Sequence, residues 1–278
     1  MESLETLFGK HKPLIAMCHL KGLPGRPRHD KPSGMTGIVH DLGTDVSALQ
    51  EAGVDGLLFC NENDIPYELE VGIEAAAAMA AAIGELRDDI VVPFGVDLLW
   101  DAKAAVAVGR ATGAAFVREV LTGVFESDMG LLAPDFGSLA AYRRDIGADD
   151  IALFCNITPE FSKSVSGRSV ADRARGAAYM GVDALLISGP AAGVGPETSD
   201  LEEAKAAAPT VPVIANTGVT HESVGSILEL VDGVIVGTAL KVDGNTWNAV
   251  DPDRAAKMME IVRSVRESPG IHESPGGR

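Results

Sequence analysis

Short apolar runs alternate with helix-sized segments along the whole chain, at a spacing of roughly 30 residues. Eight such runs can be counted: 13–19, 56–60, 90–97, 115–120, 151–156, 183–188, 211–216 and 232–236. Strands that alternate with helices favour a parallel sheet. Eight of them predict a closed (β/α)8 barrel, also called a TIM barrel, in one domain over residues 1–267. The Gly- and Pro-containing tail, 268–278, is predicted to be disordered.

A doubly wound open sheet is the alternative architecture. Its first strand-to-helix turn would carry a G-x-G-x-x-G run, and the turn after residues 13–19 has none. Helical periodicity places the helices at 37–52, 70–86, 101–112, 137–146, 170–180, 201–208, 221–230 and 253–266.

The chain is strongly acidic, with 23 Lys and Arg against 40 Asp and Glu and a net charge of −17. This charge repels phosphate backbones, so nucleic acid is not an expected partner. Two explanations of the acidity stay open: a surface adapted to high salt, or an ordinary acidic protein. The first residues lack an apolar signal segment, and no apolar run reaches the ~18 residues of a membrane span. We therefore expect a cytoplasmic protein without membrane insertion, whose state as monomer or homo-oligomer the sequence leaves open.

Polar residues follow the predicted strands at their carboxyl ends, the edge of a barrel where active sites lie. As acid–base candidates we take His19, Asp64, Asp97 and Glu119. Candidates for substrate binding are Asn61, Arg118, Asn156 and Ser188, together with Arg26 and Arg28 of a long basic loop, 20–34, that we expect to act as a lid. Because Arg118 and Glu119 are adjacent, one of them faces the mouth, and we favour Arg118.

The loops after the last two strands often build a phosphate site in such barrels. Here they carry small polar residues, and we predict that phosphate binds at Asn216, Thr217, Gly218, Gly237 and Thr238. A small phosphorylated metabolite is thus the expected partner. No cofactor is predicted. The carboxylates Asp64, Asp97 and Glu119 could, however, hold a divalent cation rather than act as acids or bases.

Three strands end in a cysteine followed by a polar residue, at Cys18, Cys60 and Cys155. If the polar residue faces the mouth, the cysteine faces the helices, where it packs as a small apolar side chain. We predict this for all three; a metal site on which they converge would require the opposite facing. A Schiff-base lysine is not expected, since no strand before the eighth carries one, and no G-x-S-x-G turn supports a serine hydrolase.

Several motifs in this order resemble the BtpA/SgcQ family across about 13–259. They are His19-Leu-x-Gly-Leu-Pro-Gly-x-Pro-Arg28, Glu51-Ala-Gly-Val-Asp-Gly56, Asn61-x-x-Asp-x-Pro66, Gly95-Val-Asp-Leu-Leu99, Phe116-Val-Arg118, Thr122-Gly123, Asp128-x-Gly130, Tyr142-Arg143, Asp183-Ala-Leu-Leu-Ile-Ser-Gly189, Gly218-Val-Thr220 and Asp232-Gly-Val-Ile-Val-Gly-Thr-Ala-Leu-Lys-Val-Asp-Gly244. The resemblance implies a phosphate-binding TIM barrel. One branch of the family is tied to photosystem I biogenesis, and others accompany sugar or nucleoside utilisation genes.

This chain departs from the family at the candidate site. The family usually has Asn at the position of Asp97, an acidic residue near Asn61, a Lys-His pair near Asn156, and Gly-Ser-Gly in place of 216–218. These changes suggest a divergent substrate or lost activity. Three hypotheses follow: a sugar-phosphate or nucleoside-derived sugar-phosphate lyase or isomerase, a non-catalytic assembly or stability factor, and a divalent-metal hydrolase.

Overall fold

A computed structural model describes residues 4–268, and eight of its strands form a closed barrel. In chain order these are β1 Leu14–His19, β2 Gly56–Cys60, β3 Phe94–Asp97, β4 Phe116–Glu119, β5 Ala152–Asn156, β6 Ala184–Ser188, β7 Val213–Asn216 and β8 Gly233–Val236. All neighbouring pairs are parallel, and β1 pairs with β8 to close the ring. The predicted TIM barrel is confirmed. The tail predicted to be disordered falls, from residue 269 onward, outside the described residues.

Helices surround the barrel. They are α1 Leu4–Phe8, α2 Gly34–Ala52, α3 Ile73–Glu85, α4 Ala102–Thr112, α5 Phe136–Asp145, α6 Val170–Met180, α7 Thr198–Ala207, α8 Val224–Leu230 and α9 Pro252–Glu267. Successive strand residues face opposite sides, which divides the core into two layers. Residues such as Leu58, Phe116 and Phe154 fill the barrel interior. The alternate residues, among them Val96 and Val117, pack against the helices.

An aspartate directly precedes each of three strands of the barrel. Asp55, Asp183 and Asp232 each stand just before or at the start of a strand and accept a hydrogen bond from the backbone N–H at the start of the preceding one. The distances are 2.8 Å to Leu14 N, 2.8 Å to Leu153 N and 2.9 Å to Val213 N. These carboxylates fix the register at the barrel edge opposite the candidate site.

A small antiparallel sheet lies in the loops after β4 and β5, outside the predicted strand and helix ranges. Its strands are Phe125–Ser127, Gly130–Leu132 and Ser162–Ser164. The sheet joins the two loops, so the segment just before Ser162 is held over the barrel mouth.

Candidate active site

Arg118 on β4 organises the barrel mouth. Its guanidinium is buried and lies between two carboxylates, with Nη1 3.0 Å from Asp97 Oδ2 and Nη2 3.1 Å from Glu160 Oε1. Nη1 also lies 3.9 Å from the sulfur of Met17 on β1. A guanidinium has five N–H donors, more than these contacts use, so Arg118 retains donors for a ligand.

Glu160, in the loop after β5, is the hub of a polar network. Its carboxylate accepts hydrogen bonds from Asn156 Nδ2 at 3.1 Å, from Asn216 Nδ2 at 3.4 Å and from the hydroxyl of Thr217. Ser188 Oγ joins the same amides, at 3.0 Å from Asn156 and 2.6 Å from Asn216. Residues at the ends of β5, β6 and β7 are thereby tied to one carboxylate.

A cavity that is open to solvent lies in front of this network. Its walls come from the loops after several strands. They are Met17, His19, Glu62, Tyr67, Leu99, Trp100, Arg118, Glu160, Phe161, Ala192, Gly193, Asn216, Thr217, Gly218, Ile235, Gly237, Thr238 and Thr246.

The loops after β7 and β8 bring backbone close to the cavity. Thr217 and Gly218 both adopt left-handed backbone angles, with φ of 67° and 69°. A Cβ on Gly218 would lie 2.1 Å from Gly195 N, so the loop after β6 packs directly on this turn. A Cβ on Gly237 would lie 3.3 Å from Cε1 of His19. Glycine at both places leaves room for the chain and for a ligand group.

Burial shifts the pKa values of the acid–base groups in the barrel mouth. Burial raises the pKa of Asp97 to about 7, against the opposing charge of Arg118 and with a further increase from Glu62. Burial, with Glu160 nearby, also raises the pKa of Glu62. Burial and then the charge of Lys241 lower the pKa of His19 to about 3, so its imidazole is neutral at pH 7.

Seven of the residues predicted for the site line the cavity: His19, Arg118, Asn216, Thr217, Gly218, Gly237 and Thr238. Three more lie directly behind them. Asp97 contacts the guanidinium from below, and Asn156 and Ser188 hold Glu160 and Asn216.

Asp64, Asn61 and Arg26 form a separate group that supports the long loop 20–34. Asp64 accepts hydrogen bonds from Leu23 N at 2.8 Å and from Asn61 Nδ2 at 3.0 Å. Arg26 donates to the carbonyl of Pro66 and pairs with Glu68 at 2.6 Å. None of the three lines the cavity, so their contacts are those of a loop anchor.

Two further candidates also point elsewhere. The guanidinium of Arg28 stacks on the ring of Trp247, with its carbon 4.5 Å from the ring centroid. Glu119 follows Arg118 on β4 and so faces the opposite side, where its Oε1 is buried with no hydrogen-bond partner among residues 4–268. Burial, with Asp97 next in effect, raises the pKa of Glu119 well above its usual range.

The prediction for the cysteines is wrong at Cys60. Cys18 and Cys155 belong to the layer between barrel and helices, but Cys60 belongs to the inner layer, with its sulfur 3.6 Å from a carboxylate oxygen of Glu62. The reason is that Asn61 lies past the end of β2 and turns back to Asp64 and to Leu99 N, so it does not continue the alternation. Burial raises the pKa of Cys60 well above its usual range, so the thiol stays protonated.

Sequence reasoning missed the loop residues of the site, above all Glu62, Tyr67, Trp100, Glu160 and Phe161. The signal for Glu62 was its place directly after a strand end, in Cys60-Asn61-Glu62. No periodic pattern marks the others.

The positions of the side chains bear on two chemistries, metal binding and Schiff-base formation by a lysine. Among the described residues, no three His, Cys, Asp or Glu side chains are grouped so that they could hold a metal ion. Lys241, which follows β8, is buried and bonds Asp45 at 2.7 Å, away from the cavity lining. No helix within residues 4–268 is long and apolar enough to cross a membrane.

Comparison with known proteins gives a consistent picture. Residues 10–264 match the model of the BtpA family. The putative sgc region protein SgcQ of Escherichia coli K12 is 39% identical over 267 residues, covering 96% of this chain and 100% of that protein. The photosystem I biogenesis protein BtpA of a Synechocystis species is 30% identical over 285 residues, covering 100% of this chain and 98% of its own.

Solved structures share the fold at low identity. One is the (S)-3-O-geranylgeranylglyceryl phosphate synthase from Thermoplasma acidophilum in complex with sn-glycerol-1-phosphate, with a TM-score of 0.59 and 14% identity over 95% of this chain and 100% of that chain. Another is the phosphoribosyl anthranilate isomerase from Thermus thermophilus, with a TM-score of 0.55 and 12% identity over 91% of this chain and 99% of that chain. At these identities the likeness concerns the fold alone.

Proposed function

Since the chain belongs to the BtpA family and folds as a TIM barrel, we propose that it is an enzyme that performs acid–base chemistry on a small phosphorylated metabolite in the cavity around Arg118. The observation that carries the proposal is that one cavity joins the backbone of two small-residue loops to a cluster of titratable groups. In this scheme a phosphate group binds at the loops, and the rest of a small substrate extends toward the titratable groups.

In this proposal, the phosphate is held by Thr217–Gly218 and Gly237–Thr238. Glu62 moves the proton, because it lines the cavity and its raised pKa brings it closer to neutrality, where a general acid or base works best. Arg118 donates to a carbonyl or hydroxyl oxygen of the substrate. His19, held neutral, accepts or donates one hydrogen bond beside the phosphate.

Asp97 acts behind Arg118 in this scheme. Its carboxylate orients the guanidinium and, with a pKa near 7, exchanges a proton as the charge in the cavity changes. Isomerase and lyase reactions without a Schiff base fit this set of groups, since no lysine lines the cavity among the described residues. The separate positions of Asp64, Asp97 and Glu119 do not favour the metal hydrolase.

Phosphate binding is the first prediction. Wild-type protein should be stabilised in thermal shift by inorganic phosphate and by phosphorylated sugars. Gly237→Ala should weaken their binding at least about tenfold, because the added methyl group, 3.2 Å from Met17 Cγ and 3.3 Å from His19 Cε1, would narrow the proposed phosphate position.

Gly84→Ala is the matched control, because a Cβ on this α3 glycine meets nothing within 4 Å. It should bind like the wild type. The proposal fails if a broad set of phosphorylated metabolites stabilises neither protein, or if Gly237→Ala binds phosphate as tightly as the control.

A non-catalytic assembly or stability factor is the second candidate, favoured by the full-length similarity to the photosystem I biogenesis protein. It predicts that Glu62→Gln and Arg118→Ala leave the function of the protein in cells intact. Loss of function with normal protein levels would instead support an enzyme.

A further inference from the structure

Carboxylates outnumber cations in the part of the cavity around Arg118. Glu62 and Glu160 line this part, and Asp97 lies directly behind. Among the described residues that line the cavity, Arg118 is the sole permanent cation, and it already contacts two of these three acids. His19 adds no positive charge, because its pKa is lowered to about 3 by burial. A buried excess of negative charge is unfavourable unless a cation or a proton compensates it.

One residue of the cavity wall also has a buried hydrogen-bond acceptor without a partner. Asn216 is 1% exposed and lines the cavity, and its Oδ1 has no hydrogen-bond partner among residues 4–268. The amide cannot be turned around, because its Nδ2 faces Glu160, whose carboxylate only accepts. Buried acceptors without a partner are rare, so this one in a residue of the cavity wall favours a ligand that carries a donor.

Aromatic side chains line the same cavity as these carboxylates. Aromatic residues make up 5% of the chain, yet Tyr67, Trp100 and Phe161 all line the one cavity. Phe161, next to Glu160, has a φ of 56°, which is strained for a bulky side chain. Strain of this kind is retained mainly at functional sites. Aromatic faces attract cations, and carboxylates among them strengthen that attraction.

We propose that the end of the cavity formed by Glu62, Asn216 and the three aromatic residues binds a protonated amine of the phosphorylated substrate, so that the substrate class is an amino-sugar phosphate or a similar phosphorylated amine. The inference rests on the proposed function, because the phosphate is what places the amine. Glu62 Oε1 accepts from Tyr67 Oη at 3.2 Å, which holds the carboxylate toward the cavity. A metal ion is a weaker occupant, since the described residues offer no cluster of three suitable ligands.

Three hexose phosphates test the proposal by calorimetric titration at slightly acid pH. Glucosamine 6-phosphate and glucose 6-phosphate differ by an ammonium in place of a hydroxyl. Glucosamine 6-phosphate should bind at least about tenfold more tightly, the usual gain from one charge-assisted hydrogen bond. N-Acetylglucosamine 6-phosphate, which has lost the charge, should bind no more tightly than glucose 6-phosphate.

Variants test whether the preference for the amine depends on Glu62 and Phe161. Glu62→Gln should bring the ratio of the two affinities close to one, whereas Glu260→Gln, an exposed change on α9, should keep it. Phe161→Leu should reduce the ratio severalfold. Circular dichroism and thermal unfolding establish that each variant is folded.

Each outcome decides between the two proposals. Equal or weaker binding of glucosamine 6-phosphate, or a full preference in Glu62→Gln, overturns the amine site while leaving the phosphorylated substrate standing. Binding of inorganic phosphate without any of the three sugars also overturns it. Absence of binding by phosphate and by every sugar phosphate overturns the proposed function itself.

Discussion

Asp97 is the residue whose position most changes its chemistry. An aspartate at a strand end is an obvious acid–base candidate, and this one lies 3.0 Å from a guanidinium, which by itself would keep it ionised. Burial outweighs that attraction, and the pKa of Asp97 is raised to about 7 with Glu62 and Glu160 adding to the increase. The carboxyl therefore changes charge near physiological pH.

Asp97→Asn should change how stability depends on pH. An unfolded Asp loses its proton near pH 4, and the folded protein retains it to about pH 7. Between these values the folded state binds more protons, so this group lowers the free energy of unfolding as pH rises. Relative to Asp97→Asn, the wild type should lose about 3–4 kcal/mol between pH 4 and pH 7, and little more above that range.

Urea unfolding of both proteins at several pH values measures this difference. Asp88→Asn, an exposed change after α3, provides the control and should show a constant difference from the wild type. A wild type that gains stability relative to Asp97→Asn as pH rises would show that Asp97 is ionised throughout.

Sequence reasoning predicted the strand residues of the site better than the loop residues. Alternation along β4 allows only one of Arg118 and Glu119 to face the mouth, and Arg118, the one favoured from the sequence, lines the cavity. Glu62 and Glu160 follow irregular backbone, whose direction depends on contacts with distant loops. For the same reason Cys60 was assigned to the wrong layer.

At the scale of elements, the aspartates that start strands act as a recurring device. The sequences Gly53-Val-Asp55 and Gly181-Val-Asp183 each end a helix with glycine and then supply a carboxylate to the neighbouring strand. The Gly has the left-handed backbone that ends a helix, with φ of 84° and 87°. One short motif thus ends a helix and sets a strand register.

Asp183→Ala should therefore destabilise the protein without affecting the mouth. The change removes the acceptor for Leu153 N, 2.8 Å away, and should lower the free energy of unfolding by about 1–2 kcal/mol. Asp149→Ala, at an exposed aspartate shortly before β5, should cost less than about 0.5 kcal/mol. Ligand affinity should be equal in both; comparable stabilities of the two variants would argue against the register role.

The sequence also predicted most elements to within a few residues, because helices and strands have different periods. Strand β2 and helix α6 coincide with their predicted ranges. Strand β3 is shorter than the apolar run 90–97, since it begins only after Pro93. The small sheet was missed because its three-residue strands are too short for any period to be recognised.

For the whole molecule, closure of the barrel explains why the fold was predictable and the site only partly so. Eight strands that alternate with helices specify which strand ends meet in the barrel. The proximity of His19, Arg118 and Gly237 can therefore be predicted without knowing the shape of any loop. The part of the cavity wall that carries Glu62, Trp100 and Glu160 is built by the loops after β2, β3 and β5. Their shape follows from the small sheet and from the bonds of Glu160, which no local pattern specifies.

Net charge is also a property of the whole molecule, and at −17 it should make stability depend on salt. Mutual repulsion of surface carboxylates opposes the compact state, and salt screens it over a distance that falls from ~10 Å at 0.1 M to ~3 Å at 1 M. The temperature of unfolding should therefore rise with NaCl.

An ordinary acidic protein should show most of this rise below about 0.5 M, where screening of surface charges is nearly complete. A surface adapted to high salt should continue to gain stability up to molar concentrations and lose its folded structure at low salt. Thermal unfolding followed by circular dichroism across this range separates the two cases, and an unfolding temperature independent of salt would contradict both, because it would mean that the excess carboxylates do not repel one another in the folded state.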